Sequence, residues 1–210
     1  MIGLTNRNYD VSIIKKLNVD VNALEIDILC RLNHPNILHK NKIYNNYIEL
    51  PISDRTLTSF INDKNILINE KIYIIYKLYS ALIYFHKHNI LLSAINEKCI
   101  VLNRNNHKYY EPLFIDFIEA KIIDDDDFSL DIYAFGLLSL QILLGRNIKE
   151  EILEMTNHQS EYKNILISSL PTLLEFIPYQ HYNNCIDFFQ NLFCINTCNT
   201  NDIYHHSLFK

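Results

Sequence analysis

Residues 131–146, Asp-Ile-Tyr-Ala-Phe-Gly-Leu-Leu-Ser-Leu-Gln-Ile-Leu-Leu-Gly-Arg, are apolar on almost every side of a helical wheel. A helix of that kind has no face to offer to water, so other elements must surround it. The rest of the chain therefore has to wrap a central helix. Gly145 suits the position just past that helix's C-terminus, and the Asp131 carboxylate suits its N-terminal end. A second pattern, Ile72, Ile75, Leu78, Ala81, Leu82 and Phe85, forms one stripe and predicts a long amphipathic helix over about residues 70–88.

With 210 residues, 49% of them apolar, the chain can bury a sizeable core as one domain or two small lobes. A net charge of −5 gives no basic footprint for nucleic acid. No apolar run reaches the roughly 18–20 residues of a membrane span, and residues 1–10 are too polar for a secretory signal. The five cysteines, Cys30, Cys99, Cys185, Cys194 and Cys198, are odd in number and mostly sit in apolar stretches. That pattern favours a reduced, intracellular protein of the cytoplasm. Abundant Ile, Asn, Lys and Tyr with no Trp points to an AT-rich coding source, such as a large DNA virus or an AT-rich protist.

The remaining pattern mixes strands and helices. Residues 11–17 read as a strand ending in Lys15, Lys16 and Leu17, and residues 43–52 as two short strands around an Asn45-Asn46 turn. Residues 21–32 carry Val21, Leu24, Ile28, Leu29 and Leu32 at helical spacing, with Asp20 or Asn22 as the N-cap. Residues 56–61 predict a short helix, and residues 152–155, 165–176 and 185–194 predict helices in the C-terminal third. The class is α+β.

Several of these segments, in this order, resemble the protein kinase superfamily, over roughly residues 11–209. The strand at 11–17 is similar to the family's V-A-I-K strand, with Lys15 at the phosphate-pairing lysine. Leu32-Asn33-His34-Pro35-Asn36-Ile37-Leu38 is close to the L-x-H-P-N-I-V turn that follows the family's regulatory helix, and it places Glu25 at the glutamate that pairs with the lysine. Tyr47-Ile48-Glu49-Leu50-Pro51 resembles the strand and hinge between lobes, with Ile48 near the gatekeeper position. Ile115-Asp116-Phe117-Ile118 is similar to the strand and D-F-G, and residues 131–145 resemble D-x-x-S-x-G-x-x-x-x-E-x-L-x-G. The resemblance implies a kinase-like α+β fold, with a truncated N-lobe over residues 1–51 and a helical C-lobe over residues 52–210. It also implies that Asp131 accepts hydrogen bonds from the catalytic-loop backbone.

The chemistry of that family is missing. At the H-R-D-I-K-x-x-N segment the chain has Leu92, Ser93 and Ala94 in place of H-R-D, Asn96 in place of the lysine, and Cys99 in place of the asparagine. Phosphoryl transfer needs a carboxylate to take the hydroxyl proton and an amide for the second magnesium. The Ala94 methyl supplies neither, and Cys99 is a soft ligand for a hard cation. Three glycines in the whole chain, Gly3, Gly136 and Gly145, cannot build a G-x-G-x-x-G phosphate loop. Ile118 replaces the D-F-G glycine and disfavours a positive φ. Only fifteen positions separate Asp116 from Asp131, and they hold the acidic run Asp124–Asp127 where a working kinase has its activation segment.

The implied function is that of a pseudokinase binding a protein partner, a host or viral kinase or a kinase substrate, as scaffold or decoy. It has no catalytic residues and no cofactor, no nucleic-acid partner and no membrane. Lys15, Glu25, Ile48, Glu49 and Asp116 remain as a vestigial nucleotide set, with Asp116 the vestigial metal ligand and Asp131 a structural residue. The alternative is a divergent ATP-binding Ser/Thr kinase using Mg-ATP, with Glu97 or Asp116 as substitute base. A reading frame in decay is a third class, against which the helical periodicity kept to the final residues counts. Cys194 and Cys198 with His205 and His206 fit no common zinc spacing.

Overall fold

The computed structural model describes residues 2–7, 10–16, 19–39, 43–44, 47–105, 109–124, 127–148, 162–194 and 205–209. The class is α+β. Strands β1 (Ile2–Arg7), β2 (Asp10–Lys16), β3 (Ile43–Tyr44) and β4 (Tyr47–Leu50) form an antiparallel sheet in the order β1-β2-β4-β3. Between β2 and β3 lies helix α1 (Val19–Arg31). Strand β1 has no counterpart in the sequence reading, in which residues 1–10 are a polar segment; its alternation is confined to Ile2 and Leu4. Asp20 and Asn22 lie within α1, so neither is the N-cap. An Asp in the first turn still suits the helix dipole.

Helix α1 buries Ile28 and Leu29 and turns Leu24 and Cys30 to solvent. Of the described cysteines, Cys30 is exposed, Cys99 half-buried and Cys185 buried. After α1, the segment Leu32–Leu38 is pinned from two sides. Asn33 N donates to Tyr84 Oη at 3.1 Å, and Asn36 Nδ2 donates to the Pro112 carbonyl at 2.8 Å. Phe114 N donates to the Asn36 carbonyl at 2.9 Å and Leu38 N to the Phe114 carbonyl at 2.9 Å. The specificity of that short motif is thus spent on backbone pairing rather than on chemistry.

Strand β5 (Arg55–Thr56) leads into α2 (Leu57–Ile61), whose first turn is capped by the Thr56 hydroxyl accepting from Ser59 N at 3.1 Å. Helix α3 (Ile68–His86) ends two residues before the expected His88. There the backbone tightens: His88 N donates to the Phe85 carbonyl, Asn89 N to the His86 carbonyl, and Asn89 takes φ 58°. Strand β6 (Ile90–Leu91) follows, then β7 (Ile100–Arg104) and β8 (Tyr110–Phe114), which pair with β5 in the order β5-β7-β8. Strand β9 (Lys121–Ile122) pairs back onto β6.

Helix α4 (Ser129–Leu144) is the central element foreseen from its all-round apolarity. It packs against α2, α3 and α6 (Tyr179–Cys194), and Leu140, Ile142 and Leu143 are fully buried. Each such side chain contributes roughly 1.5–3 kcal/mol of transfer free energy. Gly136 is small for a reason of packing, since a Cβ there would meet the Phe193 ring at 2.6 Å. Gly145 caps the helix at φ 72°, and Lys71 Nζ donates to the Leu143 carbonyl at 3.0 Å, satisfying a C-terminal carbonyl.

Helix α5 (Tyr162–Leu173) starts and stops about three residues before the expected 165–176, and α6 starts six residues before the expected 185. The helix expected at 152–155 lies outside the described residues. A 3-10 turn at Ser207–Phe209 sets Phe209 against Tyr76 and Phe188, while His206 Nε2 meets Asp187 Oδ2 at 2.8 Å. Among the described residues, no helix is long and apolar enough to cross a membrane.

Candidate functional site

Two polar assemblies lie at the ends of the elements just described. The first is built on Asp131, in the first turn of α4 and fully buried. Its Oδ2 accepts from Leu92 N at 2.7 Å and its Oδ1 from Ser93 N at 2.9 Å. The ring of His86 adds a third contact, Nε2 to Oδ2 at 3.1 Å, and stacks on Phe128 at 4.1 Å between centroids. The turn it holds is strained: Ser93 sits at φ 63°, a region L-residues enter at a cost. Ala94 N donates back to the Leu92 carbonyl at 2.8 Å, tightening it further.

Beside this turn lie Ala94 and Cys99, the two residues that the sequence reading aligns with a catalytic aspartate and asparagine. Ala94 presents a methyl group. The Cys99 thiol donates to the Ala94 carbonyl at 3.3 Å, and Asn96 Nδ2 reaches the same oxygen at 3.3 Å. Burial and the nearby Asp116 carboxylate push the Cys99 pKa up, so the sulfur stays a neutral thiol. It is neither a nucleophile nor a good metal donor in that form.

The second assembly is ionic. Lys15, on β2, places Nζ 2.6 Å from Glu25 Oε1 on α1 and 3.0 Å from Asp116 Oδ1 after β8. Glu25 Oε1 also accepts from Phe117 N at 3.3 Å. Burial is graded across the three: the Glu25 side chain is 2% exposed, Lys15 17% and Asp116 42%. Ile48 is buried directly across the β2–β4 ladder from Lys15 and forms an apolar neighbour to the cluster. Glu49 is not brought in. Strand alternation turns it to the other face, where Tyr44 Oη donates to its Oε2 at 3.2 Å.

The ten-residue interval between Lys15 and Glu25 suffices because α1 begins at Val19, almost directly after β2. Sequence reasoning missed His86 as a partner of Asp131. The signal was present, since His86 lies four residues after Leu82 on the buried stripe of α3, and a polar group there needs a partner. It also missed the Phe117 amide on Glu25, which only the fold brings near.

A magnesium nucleotide, implied by the family resemblance, does not fit this donor set. Asp116 is a single exposed carboxylate already paired with Lys15, Glu25 is consumed by Lys15 and Phe117 N, and Cys99 is a protonated soft donor. Among the described residues no group of three or more His, Cys, Asp or Glu could hold a metal ion. His206 is engaged by Asp187, and Cys198 lies outside the described residues.

No protein-family model matches this sequence, and no curated protein matches it.

Proposed function

We propose that this chain is a catalytically inactive protein-kinase-like protein that acts by binding another protein, as a scaffold or as a decoy for a kinase or a kinase substrate. The observation that carries the proposal is the Leu92-Ser93-Ala94 turn. It is strained and fastened by Asp131, yet it presents a methyl group where a proton acceptor is required. A costly conformation kept without its chemistry is consistent with a structure used as a shape. The kinase-like reading is further supported by the strand carrying Lys15 beside the strand carrying Ile48, the helix carrying Glu25, and the buried α4 with Asp131 in its first turn. On this reading residues 1–51 form a reduced N-lobe and residues 52–210 a helical C-lobe.

A second reading, a divergent ATP-binding kinase, rests on the assembly of Lys15, Glu25 and Asp116, although these three groups pair with one another and make a poor magnesium site. That reading lacks a base beside the turn. The two are separated by a thermal-shift titration with Mg-ATP. The inactive protein should show a nearly flat response. Micromolar affinity would stabilise the fold by about 4 kcal/mol at roughly a thousandfold ligand excess over Kd, and a shift of that size would favour the second reading.

A further inference from the structure

The conformation of the segment Leu32–Leu38, which leads out of α1, hangs on one imidazole. His34 Nδ1 accepts from Asn36 N at 3.1 Å. A ring nitrogen that accepts carries no proton, so the hydrogen of the neutral ring lies on Nε2, which faces Ser80 Oγ on α3 at 3.3 Å. Both nitrogens are thus in use.

The residue that the imidazole fixes is buried and ties two elements together. Asn36 is 2% exposed, its Nδ2 donates to the Pro112 carbonyl, and its carbonyl accepts from Phe114 N. Leu38 N donates to the Phe114 carbonyl, and Ile37 forms a parallel bridge to Phe114. One turn therefore fastens the end of α1 to β8. The fastening bears on the ionic cluster, because α1 carries Glu25, β8 runs out to Asp116, and Phe117 N donates to Glu25 Oε1 at 3.3 Å.

A proton on Nδ1 would turn the acceptor into a donor facing the Asn36 amide. A buried amide without an acceptor is costly, so the turn would have to open. The surroundings favour the neutral ring: burial, and then the Lys77 ammonium on α3, hold the His34 pKa below its ordinary value. Glu111 on β8 lies 3.8 Å from that ammonium and offsets part of its charge. Also on α3, Tyr84 tilts its ring against His34 at 5.1 Å between centroids, and the exposed His88 lies 4.3 Å from Tyr84. At the end of α1, Arg31 pairs with Asp27 at 2.7 Å.

We propose that the His34 turn is a proton-operated joint: with a neutral ring it locks the end of α1 to β8, and with a protonated ring it lets α1 move against β8. The joint locks as pH rises and releases as pH falls. It does not depend on whether the chain is kinase-like.

The test is amide hydrogen exchange of the full chain by NMR, expressed as protection factors at about pH 7.5 and about pH 5, on either side of an ordinary histidine. The amides of Asn36, Leu38, Phe114 and Phe117 should lose protection together on acidification, by roughly threefold or more. At the lower pH they should lie about tenfold or more below amides in the middle of α4, which wait for global unfolding. His34→Asn puts a side-chain carbonyl where Nδ1 stands, an acceptor that does not titrate, and these amides should then keep their protection at both pH values. His34→Leu has no acceptor and should show the low protection at both. His88→Asn should leave the native response intact. Circular dichroism verifies that each variant is folded, and flat protection in either His34 variant suffices. Protection insensitive to pH in the native chain, a fall that both His34 variants retain, or a response that His88→Asn abolishes would overturn the joint. So would values equal to those of α4, or a Phe117 amide that stays protected while the others fall.

Discussion

Asp131 and Asp116 are both carboxylates close to the same turn, and they live in opposite conditions. Asp131 is fully buried and its oxygens are taken by two backbone amides and an imidazole, all contributed by residues 86–93. Asp116 is 42% exposed and shares one lysine with Glu25. The first is irreplaceable for the backbone around it, whereas the second could leave with little disturbance. Burial without a substitute partner, more than charge itself, separates a structural carboxylate from a dispensable one.

The largest expected effect comes from removing the buried member. Asp131→Ala leaves two amides and His86 without their acceptor and should cost about 3 kcal/mol in urea denaturation, while Asp124→Ala in the exposed acidic run should cost about 0.5 kcal/mol or less. Equal, small losses would break the contrast. Lys15→Met comes next, because it takes the ammonium away from the buried Glu25 carboxylate, which also accepts from the Phe117 amide. A loss of about 2 kcal/mol is expected, with Lys15→Met, Glu25→Gln recovering part of it. Asp116→Ala should cost about 0.5 kcal/mol or less, since its ion pair is well screened by solvent.

Ser93→Gly should act in the other direction. It relieves a left-handed φ and deletes a buried hydroxyl that lacks a partner, so a gain of about 0.5 kcal/mol is expected after the added freedom of the unfolded chain is counted. A loss would mean that the strain is not where the backbone places it.

The smallest effect is a shallow slope with pH at His34. Its Nδ1 accepts from Asn36 N at 3.1 Å, which requires the neutral ring, and burial with the nearby Lys77 ammonium holds its pKa below 6.5. The unfolded chain takes up the proton first as pH falls. This contribution to stability is therefore complete above about pH 6.5 and is lost as pH drops toward the folded value. His34→Leu should flatten that part of the profile.

How much of this was legible in the sequence depends on whether the controlling contact is local. The central helix and its Gly145 cap are written in periodicity and turn chemistry and stand as read, within a residue or two, and the pair of strands read over 43–52 is found at 43–44 and 47–50, while the Asn45-Asn46 turn lies outside the described residues. Motif likeness put Asp131 near the Leu92-Ser93-Ala94 turn and Lys15 near Glu25, and hydrogen bonds join both pairs. Strand β1 was not legible, because its apolar alternation is confined to Ile2 and Leu4 and gives way to Thr5-Asn6-Arg7. Nor was the Lys15–Asp116 contact derivable, as it spans 101 positions and exists only once β2 and the end of β8 face each other. Glu49 shows the reverse error: its neighbour in sequence belongs to the site, and strand alternation sends its own side chain elsewhere.

The most direct test of the inactive reading is transfer of radiolabelled γ-phosphate from Mg-ATP, to the chain itself and to generic protein substrates, for the native chain and Asp116→Ala side by side. On that reading Ala94 stands at the base position and Cys99 is a neutral thiol, so incorporation should stay at background and be the same for both proteins. Incorporation above background that disappears in Asp116→Ala would contradict it.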